Sequence, residues 1–355
     1  MSDSGRELHF DGTDGTIRFA THDLAAEFLE VVHAWPARSV NEAGCPYAEI
    51  RDEDGQWRLS ILRPEPREQS HSPVNGICDL VVELNWSRLR QQPDLMCLHA
   101  GGIEMAGRLV VFPSGRRAGK STLCAEMTRR GYRLFSDDVL AVCLAEGGMP
   151  SGIATGIAPR LRLPVPPDAS EGFHRWVKVS AGPANRQYKY LTKAPVAAYG
   201  ATVPLGAIVT LERVDEDVEP VLEDMDPNEV VPVLIRQNFG RFVHSGRALA
   251  TFGAIARGLP CLKLTYGRFE QAADYLEDAF RAGRLSGDAL ATSTSSGAAR
   301  LEDSDAAPFD PALPYRRREG CTVIEVQGEA YVADASGIGI HHLNPGMIPI
   351  WHLLE

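Results

Sequence analysis

The 355-residue chain is short of three things: cysteine pairs, long apolar runs and positive charge. Its seven cysteines, Cys45, Cys78, Cys97, Cys124, Cys143, Cys261 and Cys321, are scattered with no CxxC pair, which leaves neither a zinc cluster nor a disulfide framework. Flanked by apolar residues, as in Met96-Cys97-Leu98, most read as small buried hydrophobes in a reducing compartment. No apolar run approaches the roughly 20 residues that span a bilayer. The opening MSDSGRELHF is polar and acidic, unlike a signal peptide. With 36 Lys and Arg against 47 Asp and Glu, a net charge of −11, the chain lacks the basic surface of a bulk nucleic-acid binder. The expectation is a cytoplasmic protein that partners neither nucleic acid nor membrane.

What remains is the composition of a globular protein, 44% hydrophobic and 23% charged, long enough for two or three domains. Glu7–Leu62 reads as short strands and one helix, the helix at Leu24–Val32. Pro64–Pro73 reads as a loop, and Asp79–Arg90 as a helix leading into the centre. There the apolar runs Leu95–His99 and Arg108–Phe112 predict strands, Gly119–Arg130 a helix, and Tyr132–Phe135 a strand. Strands at Gly206–Leu211 and Cys261–Leu264 follow, with helices at Asn228–Gln237, Arg247–Ala256 and Phe269–Phe280. Leu285–Leu313 has too few large apolar residues to offset the entropy of ordering, and reads as a linker. Cys321–Val326 and Ala330–Ala333 then predict a strand pair, and Ile348–Leu354 the start of a helix. The expected organisation is an N-terminal α+β region (1–94), a central α/β domain (95–284), a linker (285–313) and a small β-rich appendage (314–355).

The chemistry concentrates between the central strand and helix. Ser114-Gly115-Arg116-Arg117-Ala118-Gly119-Lys120-Ser121-Thr122 follows a strand and opens a helix, the setting of a phosphate-binding loop. Main-chain N–H groups at a helix N-terminus suit a polyphosphate such as that of ATP. Lys120 would reach the β- and γ-phosphates, and the Ser121 hydroxyl would ligate Mg²⁺. Ser114 stands where the usual pattern has glycine. Seventeen positions beyond Lys120 come Asp137 and Asp138. A helix descending roughly 16 Å and a strand climbing roughly 13–16 Å would return this pair to the loop's end of the sheet. One carboxylate can then serve Mg²⁺ and the other take a hydroxyl proton. His99, at the end of an adjoining strand, is positioned to tune one of them.

Taken together, His99-Ala100-Gly101, the strand Arg108–Phe112, SGRRAGKSTL, RRGYRLFSDDVLAV and their spacing resemble the HPr kinase/phosphorylase superfamily. The match is strong over Leu98–Val142 and extends weakly to Phe280. The resemblance implies a P-loop kinase fold like that of phosphoenolpyruvate carboxykinase, and phosphoryl transfer from ATP to a serine hydroxyl. It implies that Lys120 binds phosphates, Ser121 binds Mg²⁺, Asp137 accepts the proton, Asp138 is a metal or phosphate-site partner, and His99 polarises Asp137. It also implies homo-oligomers. Two features depart from it: Arg117 replaces a glycine, and no later glycine-rich segment with an acidic metal ligand is found. Arg160, Arg162, Arg186, Arg241 and Arg247 are further candidate phosphate-facing cations.

The tail, Tyr315–Glu355, is similar to the start of PqqD-like domains through Val323–Val326, Gly328-Glu329, Ala333-Asp334, His342-Leu343-Asn344 and Ile350–Leu354. Such modules hold the leader of a ribosomally made precursor peptide by strand addition. The expected function is therefore an ATP- and Mg²⁺-dependent serine kinase of a peptide or small protein, with a lasso-type precursor peptide as its target. A regulatory kinase of an HPr-like phosphocarrier and a nucleotide-responsive peptide-binding protein are the alternatives.

Overall fold

The computed structural model describes residues 5–40, 46–115, 118–144, 149–180, 182–240, 243–286, 317–326, 329–337, 339–343 and 347–354. They form a mixed α/β architecture of several sheets with helices packed against them. The N-terminal sheet has six strands in the order Ala37–Ser39, Arg6–Phe10, Thr16–Phe19, Pro46–Glu53, Gln56–Ile61, Arg67–His71. Its Leu8, Phe10, Ile17, Phe19 and Ile50 meet Leu24, Ala25 and Phe28 of helix His22–Val31. Thr21 caps that helix, its Oγ1 accepting from the Leu24 N–H at 3.3 Å.

The prolines of Pro64–Pro73 suggested a loop, yet an edge strand lies within it. Arg67–His71 is mostly exposed, so it has no apolar alternation to announce it. Main-chain pairing to Gln56–Ile61 holds it. The helix expected from Asp79 likewise starts earlier, at Pro73, where a missing N–H costs nothing, and runs to Gln91. Val74, Ile77, Leu80 and Leu84 of this helix enter the N-terminal core. Its last turns carry Trp86 and Leu89 to the central body.

The central sheet has nine strands. Met96–His99 runs almost directly into Gly101–Met105, and Arg133–Ser136 into Val139–Leu144. These two long stretches form an antiparallel ribbon: Ser136 lies opposite Gly102 and Val139 opposite His99. At the bend between, the Ala100 N–H donates to the Asp138 carbonyl at 3.2 Å. Pairing then passes from Gly101–Met105 through Arg108–Phe112, Thr202–Arg213 and Pro150–Ile153, and returns to Val139–Leu144. The path closes on itself. The later half of Thr202–Arg213 also pairs in parallel with Cys261–Tyr266.

Arg108–Phe112 reads as an unbroken apolar run because both its faces are covered. Val110 and Phe112 join Leu123 and Met127 of helix Lys120–Arg129 and Leu276 of helix Phe269–Arg281. Leu109 and Val111 join Leu234 of helix Pro227–Gln237 and Phe252 of helix Ser245–Gly258. Buried Glu126 binds Arg129 at 2.6 Å and Arg130 at 2.7 Å, and Arg130 reaches on to Asp274 at 2.5 Å. Part of the RRGY phrase thus braces two helices together.

Leu285, expected to open the linker, is instead buried in the main core. Residues 287–313 of that linker lie outside the described residues. The tail adds a third strand to the expected pair: Thr322–Val326, Glu329–Ala333 and Ile340–Leu343 make an antiparallel sheet. Its Ile324, Val326, Tyr331 and Ala333 pack on Val231, Leu249 and Ala256 of the two helices beneath. Among the described residues, no helix is long and apolar enough to cross a membrane.

Candidate active site

The strand Arg108–Phe112 delivers the chain to the loop, and helix Lys120–Arg129 carries it away. Arg116 and Arg117 lie outside the described residues. Three features fix the rest. The buried Ser114 hydroxyl accepts the Leu211 N–H at 2.7 Å, tying the loop to the neighbouring strand beyond Phe112. Serine in place of the usual glycine therefore has a structural task. Gly119 has φ +88°, and a Cβ there would lie 2.1 Å from the Tyr266 hydroxyl, which itself donates to the Ala118 carbonyl at 3.0 Å. Glycine alone fits that position. The helix also starts without a side-chain cap or an acidic residue in its first turn, so its leading N–H groups are open to an anion.

A cleft of about 1300 Å³ opens over this loop, bordered by Gly115, Ala118, Gly119, Lys120, Ser121 and Thr122. The Lys120 ammonium is turned back onto the loop, donating to the carbonyls of Ser114 and Gly115. Burial lowers its pKa, and the charges of Asp138 and Asp137 oppose that shift.

Asp137 and Asp138 occupy the bend of the ribbon. Their surroundings differ sharply. Asp137 is 9% exposed, its Oδ2 accepts the Arg160 N–H at 2.8 Å, and it is not part of the cleft wall. Burial first, and the charge of Asp138 second, push its carboxyl up to about 6. Asp138 does border the cleft. Its Oδ1 lies 2.8 Å from His99 Nε2 and its Oδ2 lies 3.5 Å from Arg160 Nη2. Burial works against its charge, but the His99 hydrogen bond, Arg160 and Lys120 together hold its pKa below the ordinary value.

The pairing expected between His99 and Asp137 is not made. Val139 is the residue opposite His99 in the ribbon, so the adjacent Asp138 is the nearer carboxylate. The other ring nitrogen, Nδ1, meets Gln237 Oε1 at 3.1 Å.

Of the five arginines singled out as cations, Arg160 and Arg162 border the cleft. Arg160 is held by Cys78 Sγ at 2.7 Å from Nη1 and by the Tyr188 ring 4.7 Å away. Arg186 does not border the cleft, Arg247 is paired with Asp94, and Arg241 lies outside the described residues. Two others, Arg213 and Arg236, do border it. In a chain of net charge −11, Arg160, Arg162 and Arg213 make a local concentration of positive charge suited to a polyphosphate.

No protein-family model matches the chain. No curated protein matches it either. Among solved structures, it is similar to the HPr(Ser) kinase/phosphatase from Coxiella burnetii, at 12% identity and a TM-score of 0.28, over 53% of this chain and 96% of that one. That likeness is too slight to fix the fold or the activity.

Among the described residues, no three His, Cys, Asp or Glu side chains gather into a metal-binding group. The Ser121 hydroxyl and the single carboxylate of Asp138 border the cleft. Both are oxygen donors, the kind of ligand that suits a hard cation such as Mg²⁺.

Sequence reading missed Tyr266, Arg213 and Gln237. The first two end neighbouring parallel strands, level with each other at the loop's end of the sheet. Pairing those strands was the only signal that would have found them. Gln237 closes helix Pro227–Gln237, and nothing local ties it to His99.

Proposed function

We propose that the protein is an ATP- and Mg²⁺-dependent kinase that passes the γ-phosphate to a serine hydroxyl of a peptide or small protein. One observation carries this reading: the carboxylate of Asp138 opens onto the same cleft as Lys120 and an uncapped helix N-terminus. The phosphates of the donor lie on the helix N–H groups and Lys120, with Arg160, Arg162 and Arg213 offsetting their charge. Ser121, together with the donor's phosphates, would hold Mg²⁺, which would supply charge neutralisation on the transferring group. Asp138 accepts the acceptor's hydroxyl proton, since it faces the cleft and His99 fixes its orientation. Geometry outranks pKa in that choice, so the proton-accepting role expected of Asp137 passes to its neighbour.

Our preferred acceptor is a ribosomally made, lasso-type precursor peptide. In support, the tail strands Thr322–Val326 and Ile340–Leu343 each pair with a single described strand, which suits the addition of an extended leader at an edge. Holding the leader on the same chain raises the effective concentration of the reacting serine.

The test is mass spectrometry of serine-bearing peptides incubated with protein, ATP and Mg²⁺. Wild type is expected to add one phosphate. Lys120→Ala should lose nucleotide binding, and Asp138→Asn should bind nucleotide yet transfer nothing. Tight nucleotide binding with no phosphate on any peptide or HPr-like protein would overturn the kinase reading and favour a nucleotide-responsive binding protein.

A further inference from the structure

The cleft has a second end that phosphate chemistry does not use. From Asp138, contacts lead away from the loop: His99 Nε2 to Asp138, and His99 Nδ1 to Gln237. Two residues further on, the Phe239 N–H donates to the Cys97 carbonyl at 2.9 Å, which lays Phe239 beside the same strand. Phe239 meets Trp86 edge to face, with ring centroids 5.9 Å apart. Val82, one helical turn before Trp86, keeps 40% of its surface exposed and also borders the cleft. Arg236, exposed at the end of helix Pro227–Gln237 and three residues before Phe239, borders the cleft too.

We propose that the wall of Val82, Trp86 and Phe239, with Arg236 at its rim, is the acceptor subsite, and that it selects a hydroxyl-bearing peptide segment carrying a large apolar side chain and a carboxylate near the reacting residue. The inference rests on the kinase reading given above. In-line phosphoryl transfer brings the acceptor oxygen to the γ-phosphate from the side opposite the leaving diphosphate. The diphosphate belongs to Lys120 and the helix N-terminus at Gly119–Thr122, so the acceptor enters past Asp138, on the side of the wall. Aromatic and aliphatic side chains there offer burial to an apolar group. Arg236 adds what an uncharged nucleobase would not use, a cation placed for a carboxylate. The wall is assembled from segments far apart in sequence, Val82–Trp86 and Arg236–Phe239, which converge only where the helix Pro73–Gln91 leaves the N-terminal core.

Fluorescein-labelled serine peptides provide the test, with Leu and Asp or with Ala and Lys flanking the serine. Anisotropy in the presence of ADP and Mg²⁺ measures binding, and mass spectrometry with ATP measures transfer. The Leu/Asp peptide should bind the wild type more tightly. Trp86→Ala, Val82→Ser and Arg236→Ala should each weaken it, Trp86→Ala by about tenfold or more, with nucleotide affinity unchanged. Val82→Ser and Arg236→Ala alter exposed positions, so they report on the wall even if Trp86→Ala folds poorly. Wall-dependent binding with no phosphate transferred would uphold the subsite while ending the kinase reading. Phosphorylation with an unchanged KM in all three variants would end the subsite while sparing the kinase. Weakened nucleotide binding in the variants would give the wall to the nucleobase, and failure of every peptide to bind would also overturn the proposal.

Discussion

Asp137 should be a liability to the fold at neutral pH, and removing its charge should stabilise the protein. Its carboxyl is raised from an ordinary 3.8 to about 6 by burial and by Asp138. At 1.36 kcal/mol for each pH unit, the ionised side chain costs the folded state about 3 kcal/mol above pH 7. The sign follows from proton counting. Between pH 3.8 and 6 the folded chain holds a proton that the unfolded chain has released, so stability declines as pH rises through that window. Below it, Asp137 is neutral in both states and contributes no difference. Asp137→Asn carries no charge to desolvate, and its side-chain oxygen can still accept the Arg160 N–H. The variant should therefore gain up to about 3 kcal/mol at pH 8 and close to nothing at pH 4. Urea unfolding at the two pH values, with midpoints compared at matched slopes, measures it. An Asn variant no more stable than the native chain at pH 8, or equally improved at both pH values, would refute the reasoning.

Other perturbations probe neighbouring links. Ser114→Ala strands the buried Leu211 N–H and should cost about 1–3 kcal/mol of stability in the same urea assay, with nucleotide affinity also reduced. Gly119→Ala forces a Cβ to 2.1 Å from the Tyr266 hydroxyl at a φ that suits glycine, so calorimetry should find nucleotide binding lost; native affinity would contradict the loop geometry. His99→Ala removes the hydrogen bond that lowers the Asp138 pKa, so Asp138 should keep its proton to higher pH. The acid limb of the rate profile should move upward, and an unmoved limb would argue that Asp138 is not the proton acceptor.

The phosphate loop was legible because its parts are contiguous: an apolar strand, Gly119-Lys120-Ser121, and a helix with Leu123 and Met127 on one face. The contrast between Asp137 and Asp138 was not. Two identical neighbours carry no local signal for which is buried. The difference comes from the Arg160 N–H on one and the His99 ring on the other; pairing within the ribbon brings His99, and Arg160 comes from a separate two-stranded sheet. The same holds for Ser114, whose role depends on Leu211. Arg67–His71 escaped detection for the opposite reason: an edge strand exposed along its length has no buried face to leave a pattern.

The ribbon that carries the two aspartates also limits how this sequence can change. Ser136 and Val139 are matched to Gly102 and His99, so two residues of one strand span the bend against Ala100-Gly101 in the other. An insertion or deletion between Ser136 and Val139 would have to break pairing on one side, turning the following side chains to the wrong face. Substitutions at the bend leave the ring of strands standing, whereas a change of length there dismantles both ring and cleft. Chain-length variation compatible with function is thus confined to connections outside the ribbon, and the spacing of Ser136-Asp137-Asp138-Val139 is as constrained as its chemistry.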